Sequence, residues 1–285
     1  MMFEYFDTEI PAAMAPLDCL KDMRDLEFGM GAWGDFITER WSAVPFLKRV
    51  SAALFPSALL LETLREMPNG FQLYGKDGRL LAEGGDGRKS LTVDGDSILI
   101  QYPWDVLAVH EKILSKAGSS RSSGNIREGA VIDGTVMLGE NSVLLPGVFI
   151  EGVAVIGKNC RIGPNCCLRG CTFIGDNCHI GQAVEIKNSI LMHHVAVAHL
   201  SYFGDSVICP DTNIGGGTIA SNFRHDGRNH RSMVNGALVE TGRRKFGTVI
   251  GQGVHIGIHT SIYPGRKIWS GAATLPGEIV RKDIC

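Results

Sequence analysis

The chain has 285 residues and a hydrophobic content of 44%, enough for one large domain or two ordinary ones around a substantial core. Its 28 basic and 30 acidic residues leave a net charge of −2, which excludes a global preference for nucleic acid or an anionic membrane. No basic segment followed by an apolar one opens the chain, and no run approaches the roughly 18 apolar residues of a spanning helix. A soluble cytoplasmic protein is expected.

Residues 1–116 read as a small α+β domain. A helical pattern covers 33–55, interrupted at Pro45, and a second covers 56–67. Short strands follow at 71–74, 79–82 and 97–102, separated by GKDG, GGDG and DGD turns. Pro103 opens a helix over 104–116, with Asp105 well placed beside its N-terminal dipole. Residues 117–125, AGSSRSSGN, read as a flexible linker.

From there the pattern changes. Eleven aliphatic residues recur every six positions: Ile126, Ile132, Leu138, Leu144, Ile150, Ile156, Ile162, Leu168, Ile174, Ile180 and Ile186. Neither a helix, with period 3.6, nor a lone strand, with period 2, produces that spacing, so it is an internal repeat. Three hexads make one triangular turn whose aliphatic corners stack on the next turn, a parallel β-helix. Residues 126–285 form this domain, the rhythm returning at Ile208, Ile214, Ile250, Ile256, Ile262, Ile268 and Thr274. Cys160, Cys166 and Cys178 occupy the fifth place of their hexads, where a compact buried side chain is needed. With no CxxC pair in the chain, its cysteines are expected to be reduced structural thiols and not zinc ligands.

The rhythm slips in two places. Five-residue steps lead from Ile186 to Leu191 and from Phe203 to Ile208, and residues 224–248 form an excursion too long for a hexad. Long loops on repeat scaffolds commonly carry function. A basic residue directly after a corner, where Gly is usual, occurs at Arg169 and Lys187. They are 18 residues apart, so one full turn stacks them, which predicts an anion site.

The run VEIKNSILMHHVAVAHLSYFGDSVICPDTNIGGGTIASNF, with the hexads around it, resembles the acetyltransferase domain of the bifunctional N-acetylglucosamine-1-phosphate uridyltransferase/glucosamine-1-phosphate acetyltransferases. The GRRK-type segment of the excursion is similar to archaeal sugar-1-phosphate nucleotidyltransferase/acetyltransferases. The resemblance implies a mainly β chain built on a left-handed β-helix, a homotrimer with sites between subunits, and acetyl-CoA-dependent N-acetylation of an amino-sugar phosphate such as glucosamine-1-phosphate. It places His199 as general base and Glu185 as the carboxylate that orients it. Arg169 and Lys187 would hold the sugar phosphate, and Tyr202 and Asn213 the sugar. Asn222 would lie near the acetyl group, and Gly216, within Gly215–Gly217, would bring backbone amides to the thioester oxygen. No metal is required for such a transfer.

Departures from that family concern the acyl donor. Phe223 replaces a tyrosine, Ile258 stands where a serine is expected, and the C-terminal arginine tail is missing; Arg243, Arg244 and Lys245 could supply positive charge for the CoA phosphates. The segments at 6–41 and 101–114 resemble the opening and the closing connection of a sugar nucleotidyltransferase. Yet about a hundred residues cannot hold a full nucleotide-binding domain, and no LxxGxGTRM-type loop is present. A degenerate remnant without nucleotidyltransferase activity is expected. Two alternatives remain open: a non-catalytic trimeric sugar-phosphate scaffold, and a γ-carbonic-anhydrase-like metalloenzyme using His179, His194 and His199.

Overall fold

The computed structural model describes residues 3–67, 69–87 and 89–285, which divide into two units. Residues up to Pro11, with Leu20–Leu26 and Ala32–Gln101, form the first; Ala12–Cys19, Glu27–Gly31 and Tyr102–Cys285 form the second.

The first unit is α+β. Helix α1 (Trp33–Ser42) buries Trp33, Ile37 and Trp41, four residues apart on one face, and the Trp33 indole donates to the carbonyl of Ala52 at 2.8 Å. Helix α2 (Ala58–Arg65) is capped by Ser57, whose Oγ accepts from the Leu60 amide at 2.9 Å. The expected helical pattern through residue 55 stops early. Leu47–Ser51 is instead a strand, antiparallel to Leu80–Gly85 and parallel to Glu4–Phe6. Pro45 disfavours helix at the residue before it, Phe46 takes a left-handed φ of 60°, and pairing on both edges then outweighs local propensity. Gly70–Tyr74 and Lys89–Thr92 complete a five-stranded sheet.

The second unit is a parallel β-solenoid. Ile132 aligns with Ile150 and Leu168, and Leu144 with Ile162 and Ile180, at the 18-residue step that three hexads require. Beyond Ile174 the step shortens: Ile174 pairs with Leu191, Ile180 with Val197 and Ile186 with Phe203, each 17 residues on. The five-residue steps are therefore coils that lack one residue at a turn. Ile208 next pairs with Ile250, which places the excursion between two stacked coils.

All the corners from Leu138 to Ile186 are buried, as are Ile208, Ile214, Ile250, Ile256, Ile262 and Ile268. Each contributes about 2 kcal/mol from burial alone. Ile126 is 39% exposed, because the ladder has no coil beneath it there. Cys160, Cys166 and Cys178 fill interior positions beside the corners and are free thiols. Within the segment expected as a linker, Arg121–Ser122 pairs with Met137 and Leu138, so the solenoid begins before its first aliphatic corner.

Strands Val131–Leu138, Phe149–Ile156 and Cys167–Ile174 each run eight residues and bend around a corner, joining two faces of the prism into one thirteen-stranded sheet; seven strands form the third face. The bend falls at Gly134, Gly152 and Gly170, which stack in register with positive φ. A Cβ on Gly152 would lie 2.6 Å from the carbonyl oxygen of Gly170, so glycine is required. Helix α3 (Pro103–Leu114) belongs to this unit, and its His110 bridges the Gly29 amide and the Cys171 carbonyl.

Candidate functional site

The corner column of Gly134, Gly152 and Gly170 changes character in the next two coils. Asn188 and Asp205 continue it, keeping the left-handed backbone at φ 50° and 51° but adding polar side chains. Asn and Asp tolerate this conformation better than other side-chain-bearing residues. Asp205, only 3% exposed, becomes the hub of the site. Its carboxylate accepts from Asn188 Nδ2 at 2.9 Å and Asn222 Nδ2 at 2.6 Å, with Lys187 Nζ at 3.8 Å and an Arg243 Nη2 at 3.6 Å. Glu111 of α3 closes the far side, accepting from Asn188 Nδ2 at 2.6 Å and pairing with both terminal guanidinium nitrogens, Nη1 and Nη2, of Arg243.

Arg169 and Lys187 are register partners, as the 18-residue spacing requires. Both already face a carboxylate: Arg169 holds Glu185 through Nε at 2.8 Å and Nη2 at 2.6 Å, and Lys187 faces Asp205. Burial pushes the Lys187 ammonium below its ordinary value, the nearby cations Lys245 and Arg169 push it further, and Asp205 opposes them. Lys187, Arg169, Arg243 and Lys245 set four cations against the three carboxylates Glu185, Asp205 and Glu111, an electropositive cluster with a deficit of one negative charge.

Glu185 stacks on Tyr202, and Tyr202 lies beside Asn222. Gly204 makes this possible, since a Cβ there would stand 2.4 Å from Tyr202 Oη and 2.5 Å from Asn222 Nδ2. Burial raises the Tyr202 phenol, and Glu185 and Asp205 raise it further, so it is a neutral donor at pH 7.

His199 lies on the other side of the turn at Leu200 and Ser201, on the seven-stranded face with Asn213. Its carbonyl accepts from Ser201 Oγ at 2.7 Å and from the Gly217 amide at 3.1 Å, while Gly216 packs against its Cβ. The ring is exposed, and among the described residues no hydrogen bond joins it to Glu185. The physical reason is register: His199 stacks on Gln182, whereas Glu185 stacks on Tyr202 and is taken by Arg169. Within one chain the expected orienting carboxylate therefore does not reach the expected base.

The three basic residues of the excursion separate. Arg243 is drawn inward to Glu111 and Asp205, its side chain 15% exposed, so it is not free to meet a CoA phosphate. Arg244 lies over the Phe223 ring at 5.5 Å, and Lys245 approaches Lys187. Among the described residues no three His, Cys, Asp or Glu side chains gather as metal ligands; His194 faces Asp211 at 3.4 Å. Sequence reasoning missed Asp205, Asn188 and Glu111. The first two were detectable as the places where a glycine column with a fixed 18-residue step turns polar; Glu111 carried no signal.

Residues 146–266 match the family model of the GMPPB C-terminal domain. The chain is 36% identical over 219 residues to a bifunctional sugar-1-phosphate nucleotidylyltransferase/acetyltransferase of Sulfurisphaera tokodaii, an alignment covering 77% of this chain and 53% of that protein. It is 47% identical over 185 residues to a bifunctional protein GlmU of Methanococcus maripaludis, covering 65% and 44%. This chain is a homologue of the hexapeptide-repeat bifunctional sugar-1-phosphate enzymes. The homologue spans about half the length of the curated relatives it matches. Among solved structures, a UDP-N-acetylglucosamine acyltransferase from Campylobacter jejuni aligns with 57% of the homologue and 68% of its own chain, at 16% identity and a TM-score of 0.32. No helix among the homologue's described residues is long and apolar enough to cross a membrane.

Proposed function

We propose that this protein is an acetyl-CoA-dependent N-acetyltransferase acting on an amino-sugar 1-phosphate of the glucosamine-1-phosphate kind, working as a homotrimer. The observation that carries the reading is the electropositive rung of Arg169, Lys187 and Lys245 set beside Tyr202 and Asn222. A sugar phosphate would compete with Glu185 for the Arg169 guanidinium, which suits two phosphate oxygens at once. Tyr202 and Asn213 would hold sugar hydroxyls.

His199 is the proposed base. The 2-amino nitrogen, once freed of its proton to the imidazole, attacks the thioester carbonyl; the N–C bond forms, the C–S bond breaks, and the CoA thiolate takes a proton as it leaves. Proton transfer of this kind is worth about 10² to 10⁴ in rate. His199 and Glu185 lie on successive coils, on two faces of the prism that meet at one corner, an arrangement in which a neighbouring copy would complete the pocket, as the trimer reading requires. Nucleotidyl transfer is not part of the proposed activity.

Incubation with acetyl-CoA and a panel of amino-sugar 1-phosphates should release free thiol, read by a thiol reagent; a folded protein that releases none with any of them overturns the reading. A second reading, a sugar-phosphate-binding scaffold without acyl transfer, is favoured by the inward turn of Arg243 and by Ile258, which is 52% exposed where the related enzymes are expected to carry a serine. Saturable sugar-phosphate binding with no CoA binding in calorimetry would select it.

A further inference from the structure

The excursion builds a cleft of its own. A cavity of about 420 Å³ opens between its first residues and the rung formed by Ser221 and Tyr263, with Phe223, Arg224, His225 and Pro264 around it. Phe223 is 41% and Tyr263 49% exposed, so two aromatic rings offer apolar faces to solvent at one opening. Arg244 lies over the Phe223 ring, and Gly227, at φ 66°, packs against both. Arg224 and His225 thus face a single lining carboxylate, Asp226, which Arg224 grips through Nε at 2.9 Å and Nη2 at 2.6 Å. That ion pair is exposed and solvent-screened, so an incoming dianion can displace it.

Flat apolar rings bordered by arginines are what a planar base joined to phosphates requires, since the base stacks and the guanidiniums take the oxygens. A cavity of this size also lies within the range of small-molecule pockets. We propose that this cleft is a nucleoside diphosphate subsite, the base stacking on Phe223 or Tyr263 and the phosphates meeting Arg224 and His225. It deepens the acyl-transfer reading and rests on it for the source of the nucleotide: the 3′-phospho-ADP end of CoA, or the nucleotide of a nucleotide-linked amino sugar. The cleft adjoins the sugar-phosphate cluster through consecutive residues, Asn222 turning inward to Asp205 and Phe223 outward to the cleft.

Calorimetry on the full chain decides it, with adenosine 3′-phosphate 5′-diphosphate, UDP and GDP as probes and inorganic pyrophosphate as the charge-only control. At least one nucleotide should bind about 10-fold more tightly than pyrophosphate, and Tyr263→Ala and Phe223→Ala should each remove about that factor, the worth of one stacked base. Tyr263→Phe, which keeps the ring, should restore it, and Arg224→Gln should weaken both nucleotide and pyrophosphate. If pyrophosphate binds as well as every nucleotide, or if both alanine variants bind like wild type while retaining its circular dichroism, the subsite is overturned. Preference for the adenosine probe with competition by acetyl-CoA assigns the CoA source; preference for UDP or GDP assigns the nucleotide-sugar source. Because binding is read without turnover, a protein that binds the nucleotide but never acetylates sinks the acyl-transfer reading and leaves the subsite standing. Normal turnover in alanine variants with unaltered nucleotide affinity does the reverse.

Discussion

His110 should make this fold acid-sensitive in a way one substitution can isolate. The side chain is fully buried; Nδ1 accepts from the Gly29 amide at 3.0 Å, and Nε2 lies 2.9 Å from the Cys171 carbonyl and must carry the proton. Burial pushes its pKa down to about 4, and Arg243 adds to the shift, against smaller upward contributions from Cys171 and Glu111. The unfolded chain titrates near the ordinary 6.5. Below 6.5 the unfolded state takes up a proton that the folded state refuses, so stability is fully present above 6.5 and is lost as pH falls toward 4. The complete loss is roughly 3 to 4 kcal/mol, since each tenfold change in proton affinity is worth roughly 1.4 kcal/mol, and about 2 kcal/mol of it falls between pH 7.5 and 5. His110→Gln can accept from Gly29 and donate to Cys171 but cannot titrate. Urea unfolding followed by tryptophan fluorescence at both pH values should show wild type losing about 2 kcal/mol more than the variant on acidification. Equal losses in the two proteins, to within about 0.5 kcal/mol, would refute the reasoning and mean that the site accommodates imidazolium.

Asp205→Asn replaces a buried anion by an amide that must turn its own NH₂ toward Asn188 or Asn222 and leaves Lys187 and Arg243 underpaired. A loss of about 3 kcal/mol in urea unfolding is expected, and a loss below about 1 kcal/mol would show that the hub is solvated. Gly152→Ala forces a Cβ to within 2.6 Å of the Gly170 carbonyl oxygen at φ 96°, so it should cost more than about 2 kcal/mol in the same assay. Under the proposed function, His199→Ala should lower kcat by about 10² to 10⁴ while calorimetric affinity for the sugar phosphate stays close to wild type. Lys187→Met should instead raise KM for the sugar phosphate by about 10-fold or more, and an unchanged KM would move the phosphate elsewhere.

Legibility differed by scale. The hexads announced the solenoid because each aliphatic corner is a local requirement repeated at fixed spacing, and the stacking of Arg169 on Lys187 followed from the same count. Residues 47–51, LKRVS, misled because a short stretch with only two apolar positions after a proline suits helix or strand until its sheet partners are known. The inward turn of Arg243 was invisible because its partner Glu111 lies 132 residues away on a helix whose sequence shows only its own amphipathicity.

By itself the sequence determined the repeat, its period, the two places where the period fails and the identity of the residues gathered there, since all of these are properties of spacing along one chain. Only the tertiary structure decided which charges neutralise one another. It gave Glu185 to Arg169 and not to His199, placed Asp205 at the centre of the polar cluster, and opened a cleft between Phe223 and Tyr263. Electrostatic partnership depends on distances of a few ångströms between side chains remote in sequence, and a periodic pattern carries no information about them.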